Sequence, residues 1–267
     1  MAGLPCYCLL KMMRSPITYC TGFGRAVRNW PLLLLAGLLA ACSGGRPQQS
    51  LAIAAASDLN FALDEMAAHY PGKLRVSYGS SGNFFTQISN GAPFDLFLSA
   101  DIDYARRLAP RPGSIFTYGI GRLVVWVPAA SALDPATALR SDAVRHLAIA
   151  NPDHAPYGRA AEAALRHMGL WDAVQPKLVL GENIVQTFQF VDSGAADAGI
   201  VALSLALAPA ARGRGRYWEI PLDAYPRMEQ GGVILKDSPA ARAFRDYLLS
   251  APGRRILKKY GFALPGK

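Results

Sequence analysis

In the stretch Tyr78–Ile88, written YGSSGNFFTQI, two adjacent hydroxyls, Ser80 and Ser81, stand between two glycines. A strand-like run, Leu74–Tyr78, leads into them and a helix-like run follows. Serines at such a turn can attack a substrate, hold a ligand or cap a helix. Attack finds little support. GSSGN matches the G-x-S-x-G elbow of the α/β hydrolases in neither register. His154 is the one histidine in a comparable turn, and no acidic partner is fixed to it by sequence, so a triad would have to assemble from distant residues. Capping is open for Ser57 and Ser81, at about 1 kcal/mol each. It is compatible with binding, because a serine at a helix start can turn its hydroxyl outward while the turn stays formed.

Four turns have the same character: Ala56-Ser57-Asp58, Gly79-Ser80-Ser81-Gly82, Asn151 to Gly158 (NPDHAPYG), and Gly181-Glu182-Asn183-Ile184. Each lies between a strand-like and a helix-like segment. In an open α/β sheet, ligands bind beyond the carboxyl ends of the strands, where helix N-termini point into the crevice. Free backbone N–H groups and the helix dipole attract an anion there, and hydroxyls add neutral donors. The residues alone therefore point to an anion-binding domain.

The elements that must position these turns are legible from residue 51 onward, where β-rich runs alternate with helix-period segments, the pattern of an α/β fold with mainly parallel strands. Leu51–Ala56, Leu74–Tyr78 and Asp95–Ser99 read as strands. The helix after the first has Leu59, Leu63, Met66 and Tyr70 on one face, and Ile102–Leu108 reads as a third helix. Leu123–Pro128 is an apolar run long enough to pass between two lobes. A second set follows: strands at Leu147–Ala150, Leu178–Leu180 and Gly199–Ser204, with helices at Gly158–Met168 and from Ile184 to Gly194. Arg212–Arg216 (RGRGR) reads as a mobile surface loop. The chain then runs through Tyr217–Ile220 and Gly232–Leu235 to helices at Pro239–Leu249 and Pro252–Tyr260, which are expected to pack on the first lobe. The reading is two lobes joined by two crossings.

Composition closes off other chemistries. The 267 residues carry a net charge of +9, but Lys11, Arg14, Arg25 and Arg28 precede residue 42, where no acidic residue occurs. Without them 24 basic residues face 19 acidic ones, with no basic run and no aromatic-plus-Arg pattern of a nucleic-acid reader. Arg25 and Arg28 followed by Pro31–Cys42 (PLLLLAGLLAAC) make an export signal, whose apolar core is too short for a stable membrane span. Leu39-Ala40-Ala41-Cys42 resembles a bacterial lipobox, in which the cysteine is lipidated, and the residues after it read as a flexible tether. Residues 1 to about 24 match no part of such a signal, and the reading places the true start after them. All four cysteines (Cys6, Cys8, Cys20, Cys42) fall in this leader, and His69, His146, His154 and His167 have no metal-ligand spacing. No side-chain metal site, cysteine nucleophile or cofactor is expected.

Taken in order, AAAS at Ala54–Ser57, SYGSSGNFFTQI, GAPFDLFLSAD at Gly91–Asp101, NPDHAPYGRAAEAAL and GENIVQTFQFVDSGAADAGIVALS resemble the periplasmic molybdate-binding components of ABC transporters, from about residue 51 to the C-terminus. The resemblance implies a type II, Venus-flytrap fold whose two lobes close on molybdate or tungstate. It implies a monomer, not an enzyme, that delivers the anion to a membrane permease and its cytoplasmic ATPase. Carried over by residue, Ser57 and Ser81 are the hydroxyl donors of the first lobe, and Tyr157 and Ile184 donate backbone N–H groups from the second. Asp58 stands where a further N–H can contribute. The implied organisation is an export signal at 1–41, the lipidated Cys42 and tether over 42–50, a first lobe of 51–122 with 221–267, and a second lobe of 123–220, held in the periplasm by a lipid anchor.

Two departures stand out. Some members carry a tyrosine ligand after the Gly-Ile-Val strand, where this chain has Ala202. Asp58 puts a carboxylate beside a dianion, and is read as pointing along the helix start, where an acid favours the dipole. Arg159 has two readings, a residue near the pocket mouth that steers anions and, in preference, a solvated first-turn residue. The alternatives are a site for another oxyanion such as sulfate, and a lipid-anchored serine hydrolase.

Overall fold

The computed structural model describes residues 50–110 and 113–266. The export signal, Cys42 and all but the last residue of the tether lie outside the described residues. The chain runs β1 (Leu51–Ala56), α1 (Asn60–His69), β2 (Leu74–Gly79), α2 (Ser81–Ser89), β3 (Leu96–Ser99), α3 (Ile102–Arg107) and β4 (Ile115–Gly121). It continues through β5 (Leu123–Pro128), β6 (Leu147–Ala150), α4 (Pro156–His167), α5 (Trp171–Val174), β7 (Leu178–Gly181), α6 (Ile184–Asp192), β8 (Ala198–Ala202), α7 (Leu203–Ala206) and β9 (Gly215–Glu219). Last come β10 (Met228–Ile234), α8 (Pro239–Leu249) and α9 (Ala251–Lys259).

Two five-stranded sheets result, ordered β2-β1-β3-β10-β4 and β7-β6-β8-β5-β9. Each has a core of three parallel strands extended by two antiparallel ones: β10 runs against β3 and β4, and β5 against β8 and β9. Strands covered by helices on both faces read as unbroken apolar runs, and β1, β3, β6 and β8 are buried along their whole length. The chain leaves the first sheet at Gly121, enters the second at Leu123, and returns between Glu219 and Met228. Arg122 and Glu219, at the two crossings, form an ion pair.

Each sheet has its own core. Around the first, Ile53, Leu63, Met66 and Leu96 pack with Phe244, Leu248 and Leu257, which seats α8 and α9 on this lobe. Around the second, Trp126, Leu147, Leu165 and Ile200 are central. The helices start and stop where local chemistry allows. Ser238 accepts the N–H of Ala241 at the head of α8, and Gly169, with φ +67°, follows α4 in the left-handed conformation that glycine takes without penalty.

Two sequence expectations change, and one strand is new. RGRGR is not wholly a loop: Gly215 and Arg216 belong to β9, and Arg216 donates to the carbonyls of Ser131 and Leu133. Leu203 and Ser204 do not prolong β8 but open the short helix α7. Ile115–Gly121, with no assignment in the sequence reading, is the edge strand β4.

Candidate functional site

The carboxyl ends of β1 and β2 face those of β6 and β7 across a crevice between the lobes. A small cavity of about 10 Å³ is lined there by Ser57, Asp58, Ser80, Ser81, Tyr157 and Ile184. All five predicted ligand residues thus line one space. Its size, on the order of a single water-sized sphere, leaves room for one compact group and none for a sugar or an amino acid.

The lining is built from helix starts. Ser81, Tyr157 and Ile184 occupy the first turns of α2, α4 and α6, where no carbonyl of the same helix can accept their N–H groups. At α6 the Asn183 side chain takes the next two, accepting from Val185 at 3.0 Å and Gln186 at 3.1 Å, and so leaves Ile184 N–H to the cavity. The hydroxyls are arranged likewise. Ser81 Oγ accepts the N–H of Ala100 at 3.0 Å, which leaves its own hydrogen to donate. Ser57 Oγ has no hydrogen-bond partner among the described residues. Neither serine is a cap: Ser57 opens a 3₁₀ turn capped by Ala56, Ser81 is the first residue of α2, and no side-chain cap bond forms at either start. The capping alternative is therefore overturned.

The adjacent serines divide the work. While Ser81 faces the cavity, Ser80 Oγ donates across the crevice to the carbonyl of His154 at 2.5 Å, and the N–H of Gly82 donates to the same oxygen at 2.9 Å. A side chain on Gly82 would overlap that carbonyl, so only glycine lets the lobes approach this closely. Sequence reasoning missed this clasp. Two hydroxyls in a row hint that one must face away from the site, but nothing in the sequence points to His154.

Asp58 is placed differently from its expectation. It is 1% exposed and does not lie along a solvated helix start. Its Oδ2 accepts from Tyr157 across the lobes at 2.9 Å and from Gln230 Nε2 at 2.7 Å, and its carbonyl accepts from Ser204 Oγ at 2.7 Å. Burial pushes the carboxyl up to about 6, against the opposing pull of the Gln230 and Tyr157 bonds. Burial, reinforced by the nearby Asp58 charge, holds the Tyr157 and Tyr118 hydroxyls well above their ordinary range. Gly121 leaves room for the group: a side chain there would come within 2.5 Å of the Tyr157 hydroxyl and 2.7 Å of Gln230 Nε2.

Arg159 is not simply solvated. It reaches from α4 to Asp101 at 2.7 Å and to the Tyr104 hydroxyl at 3.2 Å on the first lobe, and borders a wider cleft of about 330 Å³. Arg106, Arg227, Asp103 and Glu229 also line that cleft. Charges of both signs alternate there and no set of donors converges, so the small cavity is the better candidate site. Ala202 is fully buried at the end of β8 and paired with Leu123, and does not line the cavity. Among the described residues, no cluster of His, Cys, Asp or Glu could hold a metal ion.

The comparisons agree with this architecture. Residues 51–263 match the family model described as bacterial extracellular solute-binding protein. The molybdate-binding protein ModA of Azotobacter vinelandii is 39% identical over 242 residues, spanning 86% of this chain and 94% of that one. A Bacillus subtilis protein named as an ABC transporter substrate-binding lipoprotein, YvgL, is 30% identical over 84% of this chain and 93% of its own length. The solved Azotobacter vinelandii periplasmic molybdate-binding protein superposes with a TM-score of 0.75 at 34% identity, covering 81% of this chain and all of that one. With a family model that spans most of its length and two sheets of matching fold, the chain belongs to the bacterial extracellular solute-binding proteins.

Proposed function

We propose that this protein captures molybdate, and also tungstate, outside the cytoplasm and delivers it to the permease of an ABC transporter. The observation that carries the reading is a small buried cavity whose donors come from both lobes: the Ser57 and Ser81 hydroxyls and the first-turn N–H groups of Tyr157 and Ile184. The names of the relatives supply the ligand. The leader supports the location, with an export signal ending at Cys42 as lipid anchor.

Neutral donors suffice for a fully deprotonated dianion. Each oxygen accepts bonds from fixed dipoles, and charge-assisted bonds are roughly twice as strong as neutral ones. The same donors select. A hydrogen phosphate brings its own hydrogen to a lining of donors and leaves it buried without an acceptor unless an oxygen such as that of Asp58 turns toward it. Sulfate passes that filter, so its exclusion rests on size, and a cavity this tight in a closed protein sorts by fit. Closure is a hinge motion about the crossings at Arg122 and 220–227, favoured by an anion that touches both lobes.

Calorimetry with molybdate, tungstate, sulfate and phosphate in turn tests the reading. Tight one-to-one binding of the first two with no heat from sulfate is expected. Ser57→Ala and Ser81→Ala should each weaken molybdate binding by about 1–3 kcal/mol, since a buried charged oxygen loses a donor. Unchanged affinity in both variants would remove the site assignment.

A further inference from the structure

Asp58, Tyr157 and Gln230 form a buried polar cluster in which acceptors outnumber donors. Asp58 Oδ2 receives two hydrogen bonds, and the Tyr157 oxygen receives a further one from Gln230 Nε2 at 3.2 Å. Two oxygens are left over. Asp58 Oδ1 and Gln230 Oε1 are both buried and have no donor among the described residues. Buried acceptors are rarely left unmet, because their desolvation goes uncompensated. The carboxylate also borders the cavity assigned to a dianion, where a further negative charge opposes binding. One proton answers both difficulties: it turns an unmet acceptor into a donor and removes the charge.

Building on the oxyanion reading of the cavity, we propose that Asp58 takes up one proton from solvent as the lobes close on the anion. Dianion and proton are then held together on the protein. The O–H bond of the carboxyl forms as the bond between that proton and a hydronium ion or buffer acid breaks, the conjugate base stays in solution, and no bond of the anion changes.

The surroundings favour the neutral acid. The groups facing Asp58 are Tyr157 from α4, Gln230 from β10, Tyr118 from β4 and Ser204 from α7. Both tyrosines are neutral at physiological pH, and no Arg, Lys or His figures among the influences on the carboxyl. No cation nearby offsets its charge as the pH rises, and the hydrogen bonds from Gln230, Tyr157 and its own backbone N–H favour the ionised form less than burial opposes it. Burial already raises the carboxyl to about 6, and a dianion in the cavity pushes in the same direction. Above that pH, affinity should fall by up to about tenfold per pH unit, and the fall should flatten below it.

The test is calorimetric titration of the full chain with molybdate at about pH 7.5, in two buffers of very different ionisation enthalpy. The observed heats should differ by the equivalent of about one proton per anion. Asp58→Asn should remove the difference and make affinity nearly independent of pH between about 6 and 8. His154 lies at the interlobe contact with its ring near Glu182, so His154→Gln should keep the full difference. This second variant decides the matter if Asp58→Asn does not fold. Equal heats in the two buffers for the native chain, or a difference that persists in Asp58→Asn or vanishes in His154→Gln, would overturn the proposal while leaving the oxyanion reading standing. Absence of molybdate binding would overturn both.

Discussion

Gly82→Ala tests how closely the lobes approach. An added Cβ would lie 2.9 Å from the Cα and 3.0 Å from the carbonyl carbon of His154, where ordinary contact begins at 3.4 Å, and would overlap the carbonyl oxygen outright. These neighbours are backbone and cannot swing aside, so relief requires the lobes to part by at least half an ångström. At that separation the Gly82 N–H bond to His154, now 2.9 Å, stretches to about 3.4 Å and leaves the useful range. The Ser80 bond weakens with it. Losing these contacts from the closed state alone removes about 1–2 kcal/mol, or roughly 5- to 30-fold in affinity. The first lobe itself should not suffer, because alanine within α2 is a better helix former than glycine. Weaker molybdate binding with an unchanged melting temperature, together with a larger radius of gyration in solution scattering with anion present, is the expected pair of results. Native affinity and native scattering in this variant would refute the argument that closure brings α2 against the His154 carbonyl.

Two further predictions concern the buried cluster. A carboxyl whose folded value is raised from 3.8 to about 6 binds its proton more tightly folded than unfolded, so its contribution to stability is greatest at low pH and is lost as pH rises through that window. Asp58→Asn removes this loss, and its unfolding free energy relative to the native chain should therefore grow by about 2 kcal/mol between pH 4 and pH 7 in denaturant titrations; a constant difference would show that Asp58 does not titrate in this range. Gly121→Ala drives a methyl against the Tyr157 hydroxyl and Gln230 Nε2, and should cost about 1–3 kcal/mol of stability by disrupting the buried hydrogen bonds. Thermal unfolding checks it, and an unchanged midpoint would mean the cluster yields without loss.

The parallel cores were legible because burial on both faces leaves a direct trace: LAIAAA, LFL and LAIA are unbroken apolar runs followed by helix periods. β4 was not. Its IFTYGIG holds two glycines and three half-buried residues, and it is a strand because β10 pairs with it, a contact more than a hundred residues away. The turns were legible for the same local reason as the strands, since small and hydroxyl residues before a helix period mark a helix start. What those residues then do depends on the opposite lobe. Ser80 and Ser81 have the same side chain, yet one meets a carbonyl from β6's turn and the other meets the cavity. Asp58 reads locally as a dipole-favouring acid, and becomes a buried, interlobe acceptor only because Tyr157 arrives from 99 residues further along.

The interlobe contacts also bear on release. The Ser80, Gly82, Tyr157, Ser204 and Arg159 bonds join protein to protein, so they favour closure whether or not an anion is present. A ligand shifts an opening equilibrium only by its differential affinity for the two states. Donors from both lobes supply that difference, because an open crevice offers the anion only half of them. A protein that hands its cargo to a membrane partner must still open, and each ligand-independent bond raises the work of opening. The buried carboxylate acts in the opposite sense: when ionised in the closed state it carries an unmet acceptor and a charge against the anion, and opening returns both to water. An ionised Asp58 in the closed state therefore weighs against the interlobe hydrogen bonds, and a protonated one does not.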